Sequence, residues 1–341
     1  MSCNELNPNG RKVLLLGGTG AMGVYLVPEL AARGYEVKVI SLDDIVSDNQ
    51  RVVYVKADGK DIEFLKELLK EKFDAIVDFM MYSGNQFNER YELFLENTGH
   101  YFYLSTYRVY DGVEIPITEN SPRLLDNSKD QDFLATDDYS LFKARGEDVL
   151  RNSKYDNWTI VRPAITYSKR RFQLVTLEAP ICVARALQGL PVVIPKAALR
   201  VQATMSWAGD VAKMFAGLIL NPAAYCEAFT LATAEHRTWG EIAEYYKEII
   251  GLEYLAADTE DYLEIMGGTQ GARYQLDYDR LFERIVDNSK VLRAAGMKQE
   301  DFMPLRLGLE KELSALPENL KWPDASSIWE RMDAYAKEYK V

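Results

Sequence analysis

Tyr139-Ser-Leu-Phe-Lys143 places a phenol and an ammonium four residues apart. On a helix that spacing brings both side chains to one face, one turn apart. An ammonium beside a phenol favours the phenolate and lowers a pKa of ~10 toward working pH. Tyr139 is therefore a candidate general acid/base, and Lys143 the group that tunes it. Upstream, Leu104-Ser105-Thr106-Tyr107-Arg108-Val109-Tyr110 offers two hydroxyls just after an apolar segment. A strand-end hydroxyl facing the same crevice as Tyr139 would hydrogen-bond a substrate alcohol or carbonyl. Arg108, Arg170, Arg171 and Arg200 are candidate clamps for a diphosphate or carboxylate, because guanidinium reads such groups bidentately. Taken singly, each also suits a solvated surface.

These groups need a frame, and the chain opens on one. In Lys12-Val-Leu-Leu-Leu16-Gly17-Gly-Thr-Gly20-Ala21-Met22-Gly23 an apolar run ends in glycines three apart. The run reads as a buried strand of a parallel sheet. Val24 to Arg33 carries Leu26, Val27, Leu30 and Ala31 on one helical face. The glycines thus sit at a strand-to-helix turn, where open N–H groups and partial positive charge favour phosphate. Glycine lets a pyrophosphate approach the backbone without meeting a Cβ. Gly17, Gly20, Ala21, Met22 and Gly23 are the expected phosphate cradle. Lys143 could also donate to ribose hydroxyls of such a ligand.

Further strands are expected at 35–40, 52–55, 75–80, 101–104 and 158–161, with helices at 61–69, 88–96 and 137–151. Strand and helix in alternation predict an α/β, Rossmann-type doubly wound parallel sheet, with ligand loops at the carboxyl ends of the strands. Residues 110–136 read as an irregular insertion over the sheet edge. After 158–161, helices are expected at 179–187, 211–220 and 239–250, and a short strand at 192–194. Strand signals become few after about residue 252, where Pro304, Pro317 and Pro323 break short helices. The expected division is a flexible lead-in at 1–10, a dinucleotide-binding domain at 11–165 with a returning segment at about 203–231, and a smaller, mostly helical substrate-binding domain from 166–202 and 232–341.

Charge and cysteine usage narrow the function. Lys plus Arg number 40 and Asp plus Glu 52, a formal charge of −12. Nucleic-acid affinity rests on clustered Lys and Arg, so an acidic chain argues against it. Cys3, Cys182 and Cys226, with His100 and His236, form neither a disulfide framework nor a metal spacing. No metal is expected. Neither a membrane span nor a signal-peptide core is visible, which makes the cytoplasm the expected compartment.

Across residues 12 to 220 the chain resembles the extended short-chain dehydrogenase/reductases, the branch of NAD-dependent epimerases and dehydratases. The resemblance rests on Gly17-x-x-Gly20-x-x-Gly23, the Ser-Thr and Val-Tyr segment at 105–110, Tyr139-x-x-x-Lys143, Arg162-Pro163 and Gly209-Asp210-Val211-Ala212. It implies Tyr139 as acid/base, Lys143 orienting Tyr139 and cofactor, and Thr106 completing the triad with Ser105 beside it. It implies cofactor contacts at Ser41, Asp58 and Pro163, and substrate contacts at Met81, Ser105, Arg108, Arg171 and Arg200. As a strand-end residue Asp58 equally suits a simple turn.

Departures from the family pattern bear on the reaction. Where dehydratases carry Asp-Glu after the catalytic Thr, this chain has Tyr107 and Arg108. Without a carboxylate there, dehydration and decarboxylation are disfavoured, while epimerisation or carbonyl/alcohol redox keeps its machinery. Residues 77–97 are more similar to a subgroup containing chloroplast stem-loop RNA-binding proteins. NAD is the expected cofactor, since Asp43 and Asp44 would repel a 2′-phosphate, although Ser41 lacks the acid usual for NAD; NADP stays open. The resemblance implies a sugar-nucleotide or related polyol epimerase, a homodimer formed through helices at 88–97 and 138–151. A reductase, a non-catalytic dinucleotide binder and an RNA-binding relative are the alternatives.

Overall fold

A computed structural model describes residues 8–317 and 320–339; most of the expected lead-in, residues 1–7, lies outside them. Six parallel strands carry the first half: β1 (Lys12–Leu16), β2 (Glu36–Ser41), β3 (Val52–Lys56), β4 (Phe73–Asp78), β5 (Thr98–Leu104) and β6 (Trp158–Pro163). Glu227–Leu231 returns to pair with β6, and the spatial order is Glu227–Leu231, β6, β5, β4, β1, β2, β3. Strand order reverses between β1 and β4. Right-handed crossovers there send helices to opposite faces and open a crevice at the strand carboxyl ends.

Both faces of the sheet are covered, which is why its strands read as continuous apolar runs. Val13, Leu15, Val39 and Phe102 pack with Val211 and Phe215 of the Ala208–Leu218 helix on one side. Leu14, Leu16, Ile76 and Tyr101 pack with Phe94 and Leu150 on the other. The period of two along each strand produces this sorting. Residues 165 onward build a further core around Tyr167, Cys182, Trp239 and Leu309. There Val192–Pro195 pairs with Tyr254–Ala257, a strand beyond residue 252 where the sequence showed few strand signals.

Two expected elements change form. The helix expected at 88–96 is two short ones, Gly84–Asn88 and Tyr91–Leu95. Arg90 breaks them, because its guanidinium turns back to the Gln86 carbonyl and lies 4.8 Å over the Tyr82 ring. The insertion at 110–136 holds two helical turns, Leu124–Asn127 and Gln131–Leu134. Among the described residues no helix is long and apolar enough to cross a membrane, and no His, Cys, Asp or Glu cluster suits a metal.

His100 lies fully buried in β5. Its Nδ1 accepts from the Leu220 N–H at 3.0 Å, so Nε2 carries the proton and donates to Thr159 Oγ1 at 2.7 Å. Both nitrogens are used by the neutral ring, and burial pulls its pKa down to about 3. The folded state binds fewer protons than the unfolded one below the ordinary value of 6.5, so stability falls as pH drops toward 3. From pH 6.5 to 5 the loss should be about 2 kcal/mol. Urea unfolding of wild type and His100→Gln at both pH values checks this: the variant's pH slope should be shallower by that amount.

Candidate active site

The helix Tyr139–Arg151 begins at the cavity because Asp138 caps it, accepting from Ser140 N at 2.9 Å and Ser140 Oγ at 2.7 Å. Tyr139 is therefore its first residue, half-buried at the end of the sheet. One turn on, Lys143 is buried and donates from Nζ to the Leu104 carbonyl at 2.6 Å. Burial lowers its pKa to about 8, against the pull of Asp78 and Glu147. Thr106 sits at the end of β5, caps the following turn through Arg108 N at 3.2 Å, and is close enough to the phenol to favour its ionised form.

The tuning of Tyr139 differs from the expectation. Burial holds the phenol above its ordinary pKa, and the cations that oppose this are Arg171 and Arg108. Arg108 Cζ lies 5.3 Å from the Tyr139 ring centroid, whereas Lys143 Nζ lies 6.0 Å away and is anchored to the Leu104 carbonyl. Spacing of four put the lysine on the correct face, but its reach goes to the strand end.

Ser105 also departs from its expected part. It stands in the cavity wall, but its hydroxyl turns inward to Glu147 Oε1 at 2.5 Å. Glu147 is fully buried and takes two further bonds from Arg162, Nε at 2.8 Å and Nη2 at 2.6 Å, and one from Arg123 at 3.2 Å. Burial alone would raise the Glu147 pKa; the Arg162 guanidinium outweighs it and holds the carboxyl below its usual range. Arg162 Nη1 donates to Tyr110 Oη at 2.9 Å, whose hydrogen is left for Thr230 Oγ1 at 2.7 Å. This network ties the carboxyl ends of β5, β6 and Glu227–Leu231 to the helix that carries Tyr139.

A cavity of about 390 Å³ opens over these ends. Its walls bring together Met22, Met81, Thr106, Arg108, Tyr139 and Pro163 of the expected residues, with Arg171 near the rim. Arg200 is exposed and outside the cavity wall, so it is no clamp there. Residues not foreseen complete the wall, chiefly Gln173, Gln275 and Arg280. Arg280 ends a π-helical turn, Leu276–Arg280, for which the sequence carries no periodic signal.

The glycine bend fits a dinucleotide's phosphates. Gly17 has φ +74°, which a side chain would strain, and a Cβ on Gly23 would lie 2.2 Å from the Gly18 carbonyl oxygen. Met22 leads into the helix Gly23–Ala32 without a side-chain cap, so an anion can take the cap's place. Ser41 ends β2 and shares a 2.7 Å hydrogen bond with Thr19 of the bend. Asp58 is exposed after β3 and accepts from Lys60 N at 2.9 Å, a turn arrangement that leaves its second oxygen open.

The family model of the NAD dependent epimerase/dehydratase family matches residues 13–226. The chain belongs to that family. An epimerase of Methanothermobacter thermautotrophicus superposes with a TM-score of 0.66 at 17% identity, covering 90% of this chain and 92% of that one. UDP-glucose 4-epimerase of Thermus thermophilus, solved with NAD, gives 0.62 at 19% identity, over 91% and 100%. The chloroplast stem-loop binding protein of 41 kDa b of Arabidopsis thaliana is 24% identical over 251 residues, 69% of this chain and 62% of the relative's length. It agrees with the subgroup seen at residues 77–97.

Glu147 and Arg162 form a buried ion pair, so removal of one partner is costly. Glu147→Gln leaves the guanidinium buried without its carboxylate and should cost about 3–5 kcal/mol. Replacing both partners, Glu147→Leu with Arg162→Met, should cost less than that single change. Urea unfolding of the three proteins decides it.

Proposed function

We propose that the chain is an NAD-dependent epimerase of a sugar nucleotide or related polyol, acting through Thr106, Tyr139 and Lys143. The observation that carries this reading is the meeting of Tyr139 and Thr106 on one cavity, with Lys143 fixed directly beneath. Gly17, Gly20, Ala21, Met22 and Gly23 would hold the pyrophosphate, Ser41 and Asp58 the adenosine side, and Lys143 and Pro163 the side nearest the chemistry. NAD supplies the capacity to accept a hydride from carbon and return it. Residues 166–202 and 232–341 would hold the substrate, in a cytoplasmic homodimer.

The chain's own work is proton handling and position. Tyr139 Oη would take the proton of the substrate hydroxyl as that carbon is oxidised, and return it when the carbonyl is reduced on its other face. Thr106 Oγ1 would hold the reacting oxygen. Lys143, Arg108 and Arg171 place positive charge near the phenol and ease its ionisation against burial. Tyr107 and Arg108 leave the strand end without the carboxylate that would help expel water, which favours epimerisation over dehydration.

The curated relative's name brings an RNA-binding reading with it. A charge of −12 speaks against it, and so does the inward placement of Arg280 and Arg284.

Tyr139→Phe should reduce turnover by about 10²–10⁴-fold and leave NAD affinity unchanged. Interconversion of UDP-glucose with UDP-galactose, and of the matching uronates, gives the rate; titration with NAD gives the affinity. A variant as fast as wild type would sink the assignment.

A further inference from the structure

Arg108 and Arg280 line the inner cavity wall, where guanidiniums gather on one carboxylate. Arg108, Arg280 and Arg284 surround one fully buried carboxylate, Asp279. Arg108 Nε is 3.4 Å from it and Arg284 Nη2 3.1 Å, while Arg280 bonds it from Nη1. Asp138 lies 3.8 Å from Arg108 Nη2, its Oδ1 already accepting twice from Ser140, and Asp111 is near Arg284. At the rim Arg171 faces Glu178 at 3.6 Å. Three guanidiniums thus crowd the one carboxylate of Asp279, with Asp138 beside Arg108 and Asp111 near Arg284.

Arg108 is the one of the three with a buried donor left without a hydrogen bond. Its side chain is 13% exposed, and its buried Nε makes no hydrogen bond among the described residues. A buried N–H without a hydrogen bond is costly, and a guanidinium fork matches the two oxygens of a planar carboxylate. Burial, together with repulsion from Arg108, lowers Arg280 and Arg284 to about 10. Arg108 lies over the Tyr139 ring, at the reacting end of the cavity. The π-helical turn holds Asp279 and Arg280 side by side and buried, which aims Arg280 at the same space.

We propose that the reacting sugar carries a carboxylate, read by Arg108 and Arg280 beside Tyr139: a nucleotide-linked uronate rather than a neutral sugar. This rests on the sugar-nucleotide reading above. Calorimetric titration with UDP-glucuronate and UDP-glucose, which differ only in the carboxylate, tests it on wild type, Arg108→Gln and Arg108→Lys. Wild type should bind the uronate about tenfold tighter or more. Arg108→Gln should erase that preference and leave UDP-glucose affinity within about twofold, and Arg108→Lys should keep part of the preference. Equal affinity for the two sugars overturns the proposal. So does an equal loss for both in Arg108→Gln, which would mean that Arg108 reads the diphosphate or only supports the fold.

If neither UDP ligand binds, the sugar-nucleotide reading fails separately and malonate decides this one. A malonate-induced rise in Tm that Arg108→Gln loses supports a carboxylate site; the same rise in both proteins overturns it.

Discussion

One buried ion pair holds the site in shape. Glu147 accepts from Ser105, Arg162 and Arg123, and Arg162 passes the restraint on to Tyr110 and, through it, Thr230. Removing both charges from water is expensive, and the pair persists because every strong donor and acceptor in it is matched. The return is positional. Glu147 stands four residues after Lys143 on the same helix, so whatever fixes Glu147 against β5 and β6 also fixes Lys143 and Tyr139. Ser105 is spent on this network, which leaves Thr106 as the strand-end hydroxyl that meets the phenol.

Charge around Tyr139 follows from the same packing. Lys143 is locked to the Leu104 carbonyl and carries a depressed pKa, so its positive charge is available but held at the strand end. The nearer electrostatic help comes from arginines supplied by two other parts of the chain, the turn after β5 and the segment after residue 168. A buried phenol is hard to ionise, and opposing cations reduce the cost. The acid/base role proposed for Tyr139 therefore draws on residues far apart in sequence as well as on the Tyr/Lys pair.

Much of this was legible in the sequence because it depends on local pattern. Apolar runs bounded by glycine gave the parallel strands, and the helices expected at 61–69 and 137–151 are found, capped by Asp61 and Asp138. Tyr139 and Lys143 stand out by their spacing, and the family resemblance singles out Thr106. What escaped depends on tertiary pairing. Glu147 looks like any helical glutamate until Arg162 is brought to it from the next strand. Arg280 and Asp279 belong to a π-helical turn, whose shape no apolar periodicity announces. Arg200 had the right chemistry in the wrong place, on an exposed stretch outside the cavity. The helix expected at 88–96 split at Arg90, whose partners lie at Lys60 and Tyr82.

The distribution of charge now reads differently from its sum. An acidic total of −12 describes the outside of the molecule, where Glu and Asp dominate. Arg108 and Arg280 line a cavity of about 390 Å³, and Arg284 is buried against Asp279. A polymer with a charged backbone needs cations arrayed along an open surface. Cations gathered inside a small cavity can meet only a small anion, and the same enclosure that makes them costly when unpaired makes their pairing strong. An acidic exterior with guanidiniums in the cavity wall suits the proposed ligand, a small anion set beside the phenol.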